Sequence, residues 1–259
     1  TPQTNSSTVT YRGWSLISAE QYVKNLFNQG SERDRQRMIG ASNMSSACTR
    51  CLADDMLQVT RPQGVYDMGK EVGTAIHSYL EDRNRDWYAL PERKVVIGTI
   101  EGYGEISSTT DLVRIDPDTG GVHIVDFKTT TRDKLSWYRA VVQQDPEFDS
   151  PLQAKARWTL SQYFRQAQLY ALGVHNTLHM EPAQVDIVFV CRDGQIVDRD
   201  IWGHSMPYDP ALAETTFNRA AKLWEWLQTP GNDPDDLPSQ EHCYYCSVVR
   251  SDNTPEVEL

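Results

Sequence analysis

The chain has 259 residues and a formal net charge of −11; it is 39% hydrophobic, 24% charged and 10% aromatic. Seven tryptophans, twelve tyrosines and six phenylalanines give enough bulk for one sizeable core, and regular apolar segments such as Val185-Asp186-Ile187-Val188-Phe189-Val190 exclude a disordered chain. No apolar run approaches the roughly 18 to 20 residues that span a bilayer, and the polar start is no signal peptide, so a cytoplasmic protein without a membrane partner is expected. At first sight the acidic balance argues against a nucleic-acid partner.

Residues 11–40 read as helical, with Trp14, Leu16, Ile17, Tyr22, Val23 and Leu26 at apolar positions. A turn-rich stretch over 39–50 follows. Residues 67–88 form a helix carrying Met68, Val72, Ile76, Tyr79 and Leu80, with Pro91 as its stop. Three strands are predicted at 94–101, 106–116 and 122–128. The turn Asp116-Pro117-Asp118-Thr119-Gly120-Gly121 separates the last two. A long helix over 150–177 leads to a buried strand at 185–191. A turn at Asp193-Gly194, a strand at 195–202 and a helix over 209–229 complete the order. Helix, three strands, helix, two strands and helix make an α/β domain with a mixed sheet.

Five cysteines are too few for a disulfide framework at this length. Cys48 and Cys51 form one C-x-x-C, and Cys243 and Cys246 form another. Two residues between thiolates let a tight turn present both sulfurs to one metal, and two such pairs suit tetrahedral zinc or an iron–sulfur cluster. A metal shared by the pairs closes a loop of roughly 190 residues, where a cross-link restricts the unfolded chain most. Cys191 reads as an inert core thiol.

The chemistry concentrates in Asp111-Leu112-Val113-Arg114-Ile115 and Val125-Asp126-Phe127-Lys128-Thr129-Thr130. On a strand, residues two apart share a face, so Asp126 and Lys128 emerge together. If the Asp111 strand pairs alongside, its carboxylate joins them. Such a set can bind a divalent cation and position a water, as phosphodiester hydrolysis requires. Alone, Asp-x-Lys equally describes an exposed strand. His77 and Glu81 lie four apart on one helical face, as do Gln166 and Tyr170.

In this order, the Gly73-x-x-x-His77-x-x-x-Glu81 helix, Asp111, Asp126-Phe127-Lys128 and Gln166-x-x-x-Tyr170, flanked by cysteines, resemble the RecB-type branch of the PD-(D/E)XK nuclease superfamily. That branch includes CRISPR-associated nucleases and phage and mitochondrial single-strand DNA exonucleases. The resemblance implies a restriction-endonuclease-like αβββαβ core with a helical N-terminal part, and a four-cysteine metal site joining the chain ends. Residues 1–259 would be one nuclease domain: a catalytic core over 67–205, cysteine segments at 41–58 and 230–250, and an acidic tail at 251–259.

It further implies Mg2+ or Mn2+ held by His77, Asp111, Asp126 and the backbone carbonyl of Phe127. Lys128 would orient or help deprotonate the attacking water. Gln166 and Tyr170 would support the site and contact DNA, with Glu81 behind the ligands. Cys48, Cys51, Cys243 and Cys246 would hold [4Fe-4S] by resemblance, whereas their paired spacing favours Zn2+. Two departures stand out. Ser108 occupies a position where the family often has glycine. The cysteines divide two and two, where the family has one and three.

The expected activity is a metal-dependent DNA exonuclease acting on single-stranded ends, in the host cytoplasm if phage-encoded, with a recombination or replication protein as further partner. The competing readings are a non-catalytic DNA-binding or recombination-partner module and a structure-specific endonuclease. The charge fits DNA better than it first appears. Between residues 232 and 259 there are seven acids against Arg250, more than half of the excess, whereas residues 150–180 hold Lys155, Arg157, Arg165 and no acid. Lys134, Arg132, Arg139, Trp137, Tyr138, Trp158, Tyr163 and Phe164 complete a basic, aromatic stretch suited to a single strand, with at least half of these rings expected in the core.

Overall fold

Val95 and Ile97, two apart on one strand, are both fully buried, as are Ile124 on a second and Val185, Ile187 and Phe189 on a third. These alternating apolar residues form one face of a five-stranded sheet. The computed structural model describes residues 38–59, 68–84, 86, 88–144, 151–240, 242–243 and 245–246. The elements are α1 (Ala41–Met44), α2 (Thr49–Met56), α3 (Met68–Arg83), β1 (Ala89–Ile100), β2 (Gly104–Ile115), β3 (Val122–Thr130), α4 (Arg132–Val142), α5 (Pro151–Leu178), β4 (Pro182–Cys191), β5 (Ile201–Pro207) and α6 (Pro210–Gln228).

The strands lie in chain order. β1, β2 and β3 form an antiparallel meander, β3 and β4 run parallel, and β5 returns antiparallel to β4. A parallel neighbour requires a crossover, supplied by α4 and α5. The order α3, β1, β2, β3, α5, β4 is the αβββαβ core with a mixed sheet that the motifs imply. The buried side of α5, with Leu160, Ala167, Leu169, Ala171 and Val174, joins the same core as the sheet. Gly173 permits the approach: a Cβ there would lie 2.6 Å from Val95 Cγ2.

Several expectations need correction. The helix expected over 11–40 falls outside the described residues except for 38–40, which are not helical, and the acidic tail lies outside them as well. α3 ends at Arg83, and Pro91 lies within β1, an edge strand that tolerates the missing N–H. The region around the first cysteine pair is helical rather than turn-rich, with Cys48 as N-cap of α2. α4 was not anticipated. The strand expected at 195–202 begins only at Ile201. Before it, the Asp200 carboxylate accepts from the Gln195 N–H at 2.7 Å and from Arg132, which fastens a turn. Among the described residues, no helix is long and apolar enough to cross a membrane.

Candidate functional site

The β2–β3 ladder runs from Ile115↔Val122 to Leu112↔Val125 and stops there. The Phe127 N–H, just beyond it, donates instead to Asp111 Oδ2 at 2.7 Å. The other oxygen of Asp111, Oδ1, faces His77 Nδ1 at 3.4 Å. His77 reaches this point because α3 packs tightly on β3: a Cβ at Gly73 would lie 3.0 Å from Thr129 Oγ1. One helical turn separates Gly73 from His77, so the first residue sets the spacing and the second uses it. The His77 ring meets Phe127 edge-on at 6.1 Å between centroids.

Asp126 and Lys128 share the opposite side of β3. The ammonium of Lys128 lies 2.9 Å from Asp126 Oδ2, donates to Oδ1 at 3.1 Å, and donates to Gln166 Oε1 at 2.9 Å. Gln166 Nε2 in turn donates to the Tyr170 hydroxyl at 2.7 Å. The structure therefore brings His77 to Asp111, and Asp126 to Lys128, Gln166 and Tyr170, with adjacent β3 residues linking the two groups. Gln166 and Tyr170 are both buried, so they brace Lys128 and offer little surface to a bound strand.

Burial pushes the Asp126 carboxyl up, against the pull of Lys128, to about 6. Burial also opposes ionisation of Asp111, but the hydrogen bond and charge of His77, the charge of Lys128 and the Phe127 N–H hold its carboxyl below the usual range. His77 is raised, first by its hydrogen bond to Asp111. Lys128 is raised too: burial disfavours its charge most, but Asp126, Tyr170 and Asp111 together outweigh that effect.

A cleft opens on the His77 side, lined by His77, Glu81, Asn84, Pro91, Glu92, Asp111 and Phe127. Three carboxylates and an imidazole line it, but among the described residues only the four cysteines bring their ligand atoms within reach of one ion. Asp126, at 1% exposure, is not among the residues that line this cleft, and both of its carboxylate oxygens face the Lys128 ammonium.

Sequence reasoning passed over one neighbour of this site and gave a second only a place in the basic, aromatic stretch. Glu92, with a left-handed φ of 42°, belongs to no motif. The Tyr163 ring, 5.0 Å from Lys128 Nζ, had a signal: Tyr163, Gln166 and Tyr170 are three and four apart on one helix.

The cysteines form a second centre. Cys48 and Cys246 sulfurs lie 3.5 Å apart, Cys51 and Cys243 3.3 Å, and Cys51 and Cys246 3.6 Å; all four fall within 4.8 Å of one another. Each is buried, and together they can hold a metal ion. Hydrogen bonding from Cys51 holds the Cys48 thiol down at about 4. Arg219, which no motif flagged, donates to the carbonyls of Met44 and Ser46 just ahead of Cys48. Ser108 accepts the Ala41 N–H at 2.7 Å and ties β2 to α1. Cys191 is buried away from this group, and burial pushes its thiol up.

Of the five rings expected along the basic stretch, Tyr138 is buried, while Trp137, Trp158, Tyr163 and Phe164 are only partly so, fewer core rings than anticipated. A cleft of about 350 Å³ between α4 and the 192–200 loop is lined by Arg132, Arg139 and Arg199 together with Asp200. The Arg139 guanidinium lies 5.7 Å from the Trp202 ring centroid, and Trp202 stacks on His204 at 5.9 Å.

No family model matches the sequence, and no curated protein matches it. Among solved structures, the chain is similar to an alkaline exonuclease from Laribacter hongkongensis at a TM-score of 0.48 and 13% identity, over 76% of this chain and 90% of that one. The same exonuclease in complex with dAMP gives 0.46 and 13%, over 75% and 90%. A phage-related exonuclease from Haemophilus somnus 129PT gives 0.44 and 14%, over 78% and 97%.

Proposed function

We propose that the chain is a metal-dependent deoxyribonuclease that hydrolyses phosphodiester bonds, acting as an exonuclease on single-stranded DNA ends. One observation carries the reading: Lys128 is clamped between Asp126 and Gln166, next to the Asp111–His77 pair. In a working site, His77, Asp111, Asp126 and the Phe127 carbonyl would hold Mg2+ or Mn2+, which supplies a Lewis acid to the scissile phosphate. Lys128 donates hydrogen bonds to the attacking water and holds it in line. Gln166, fixed by Tyr170, keeps the ammonium aimed. Glu81 and Glu92 add negative charge to the cation's surroundings.

The incoming strand would use the arginine-lined cleft, where Arg132, Arg139 and Arg199 meet phosphates and the Trp202 ring packs against Arg139. Digestion of end-labelled single-stranded DNA with Mg2+ or Mn2+ tests the claim. Release of nucleotides by the wild type, lost in Asp126→Ala and Lys128→Ala, supports it; equal release by the variants refutes it. Circular single-stranded DNA separates exonuclease from structure-specific endonuclease, because only the latter cuts a substrate without ends. The near-complete burial of Asp126 favours a second reading, a DNA-binding or recombination-partner module without catalysis. Salt-sensitive binding with no cleavage under any divalent cation would select it.

A further inference from the structure

We infer that the four-cysteine site holds a single tetrahedral zinc ion and not the [4Fe-4S] cluster that the sequence resemblance implies. The sulfur spacing decides between them. Four thiolates on one zinc, each at about 2.3 Å, stand about 3.8 Å apart along the edges of the tetrahedron. Three of the sulfur pairs here are separated by 3.3, 3.5 and 3.6 Å, and no pair exceeds 4.8 Å. In a cubane cluster each thiolate binds a different iron at its own corner, with sulfides filling the faces between them. Those thiolates surround a body of eight atoms and must stand farther apart than the ligands of one ion. The space enclosed by Cys48, Cys51, Cys243 and Cys246 accommodates the ion and not the cube.

Three features agree. Each C-x-x-C supplies one edge of the tetrahedron from a single turn, so the two-and-two division completes a four-thiolate site with nothing left over. All four sulfurs belong to buried residues, at 8% exposure or less, which makes a closed site of the structural kind with no open ligand position. Four thiolates on Zn2+ leave two net negative charges. The Arg219 guanidinium, bonded to the carbonyls of Met44 and Ser46, stands within electrostatic reach of Cys48 and offsets part of them.

The inference does not depend on nuclease activity, and its test does not read activity. The full chain is purified without oxygen from cells supplied with both iron and zinc, then assayed for metals, acid-labile sulfide and visible absorption. About one zinc per chain, negligible iron and a colourless protein are expected. Replacing the ion with Co2+ should produce the intense visible bands of a tetrahedral thiolate complex, a readout on the unmutated chain. Cys51→Ser should weaken zinc retention at least about tenfold, and Cys191→Ser should leave it unchanged. Iron and sulfide near four per chain, with brown colour, would overturn the inference. So would a protein that retains neither metal after incubation with each, since four free thiols would then be the resting form.

Discussion

Lys128 reaches back two residues along its own strand to Asp126, placing its ammonium 2.9 Å from one carboxylate oxygen and 3.1 Å from the other. Both groups are largely shut off from water, so each is tolerable only because of the other.

That dependence predicts an asymmetric pair of variants. Lys128→Met leaves a buried carboxylate uncompensated and should destabilise the fold by about 3 kcal/mol. Adding Asp126→Asn to it should restore much of the loss, because the charge needing a partner is gone. Urea denaturation of the two single variants and the double variant measures this coupling; strict additivity would contradict it. Cleavage, in contrast, should not return in the double variant.

Gly73 can be tested by bulk alone. Gly73→Val places side-chain atoms against Thr129 Oγ1 and should lift α3 off β3, carrying His77 away from Asp111. Small displacements of positioning groups are costly to catalysis, so nuclease activity should fall by about a hundredfold while zinc content stays at the wild-type level. Unchanged activity would mean that His77 does not need its present position.

The arginine-lined cleft makes a binding prediction. Trp202→Ala removes the ring that Arg139 packs against and should weaken binding of single-stranded DNA by about 1 kcal/mol. Arg139→Ala should also weaken it and flatten the dependence of affinity on salt, reflecting one fewer phosphate contact. Fluorescence anisotropy at several salt concentrations distinguishes the two effects. An unaltered salt slope in Arg139→Ala would remove that residue from the DNA path.

A pH prediction follows from Asp200. The Arg132 guanidinium and the Gln195 N–H hold its carboxyl down to about 2. A depressed folded-state value means that the stabilisation is complete above the ordinary carboxylate pKa and disappears as pH falls through the folded value. Asp200→Asn should therefore be less stable than wild type at pH 5, with the gap closing between about pH 4 and pH 2. Circular dichroism of acid unfolding reads it; a gap constant across that window would assign the effect to packing.

The strands around the candidate site were legible because their physics is local. Alternating apolar residues mark β3, and the turn before it is fastened by Asp116 Oδ1, which accepts from the Asp118 and Thr119 N–H groups at 2.9 Å each. β5 was misplaced for the converse reason. Ile196 and Val197 look like strand residues but are 92% and 42% exposed in a turn, so hydrophobicity pointed at the wrong segment. α4 escaped notice because only Leu135 and Tyr138 of its eleven residues are buried, too sparse a stripe to declare a helix. At the site, strand period two was enough to join Asp126 with Lys128. The meeting of His77 with Asp111 was not readable from spacing, since it depends on how closely two distant elements approach at Gly73.

The cysteine centre also has a consequence for synthesis. Cys51 emerges from the ribosome 192 residues before Cys243, so its half of the site waits while the entire sheet is made. A nascent chain can hold at most two of the four thiolates and therefore captures the ion weakly. Tight capture comes only once β1 through α6 exist and have folded well enough to bring the second pair alongside the first. An ion held there would mark completion, bound tightly only by chains that have finished the domain in between.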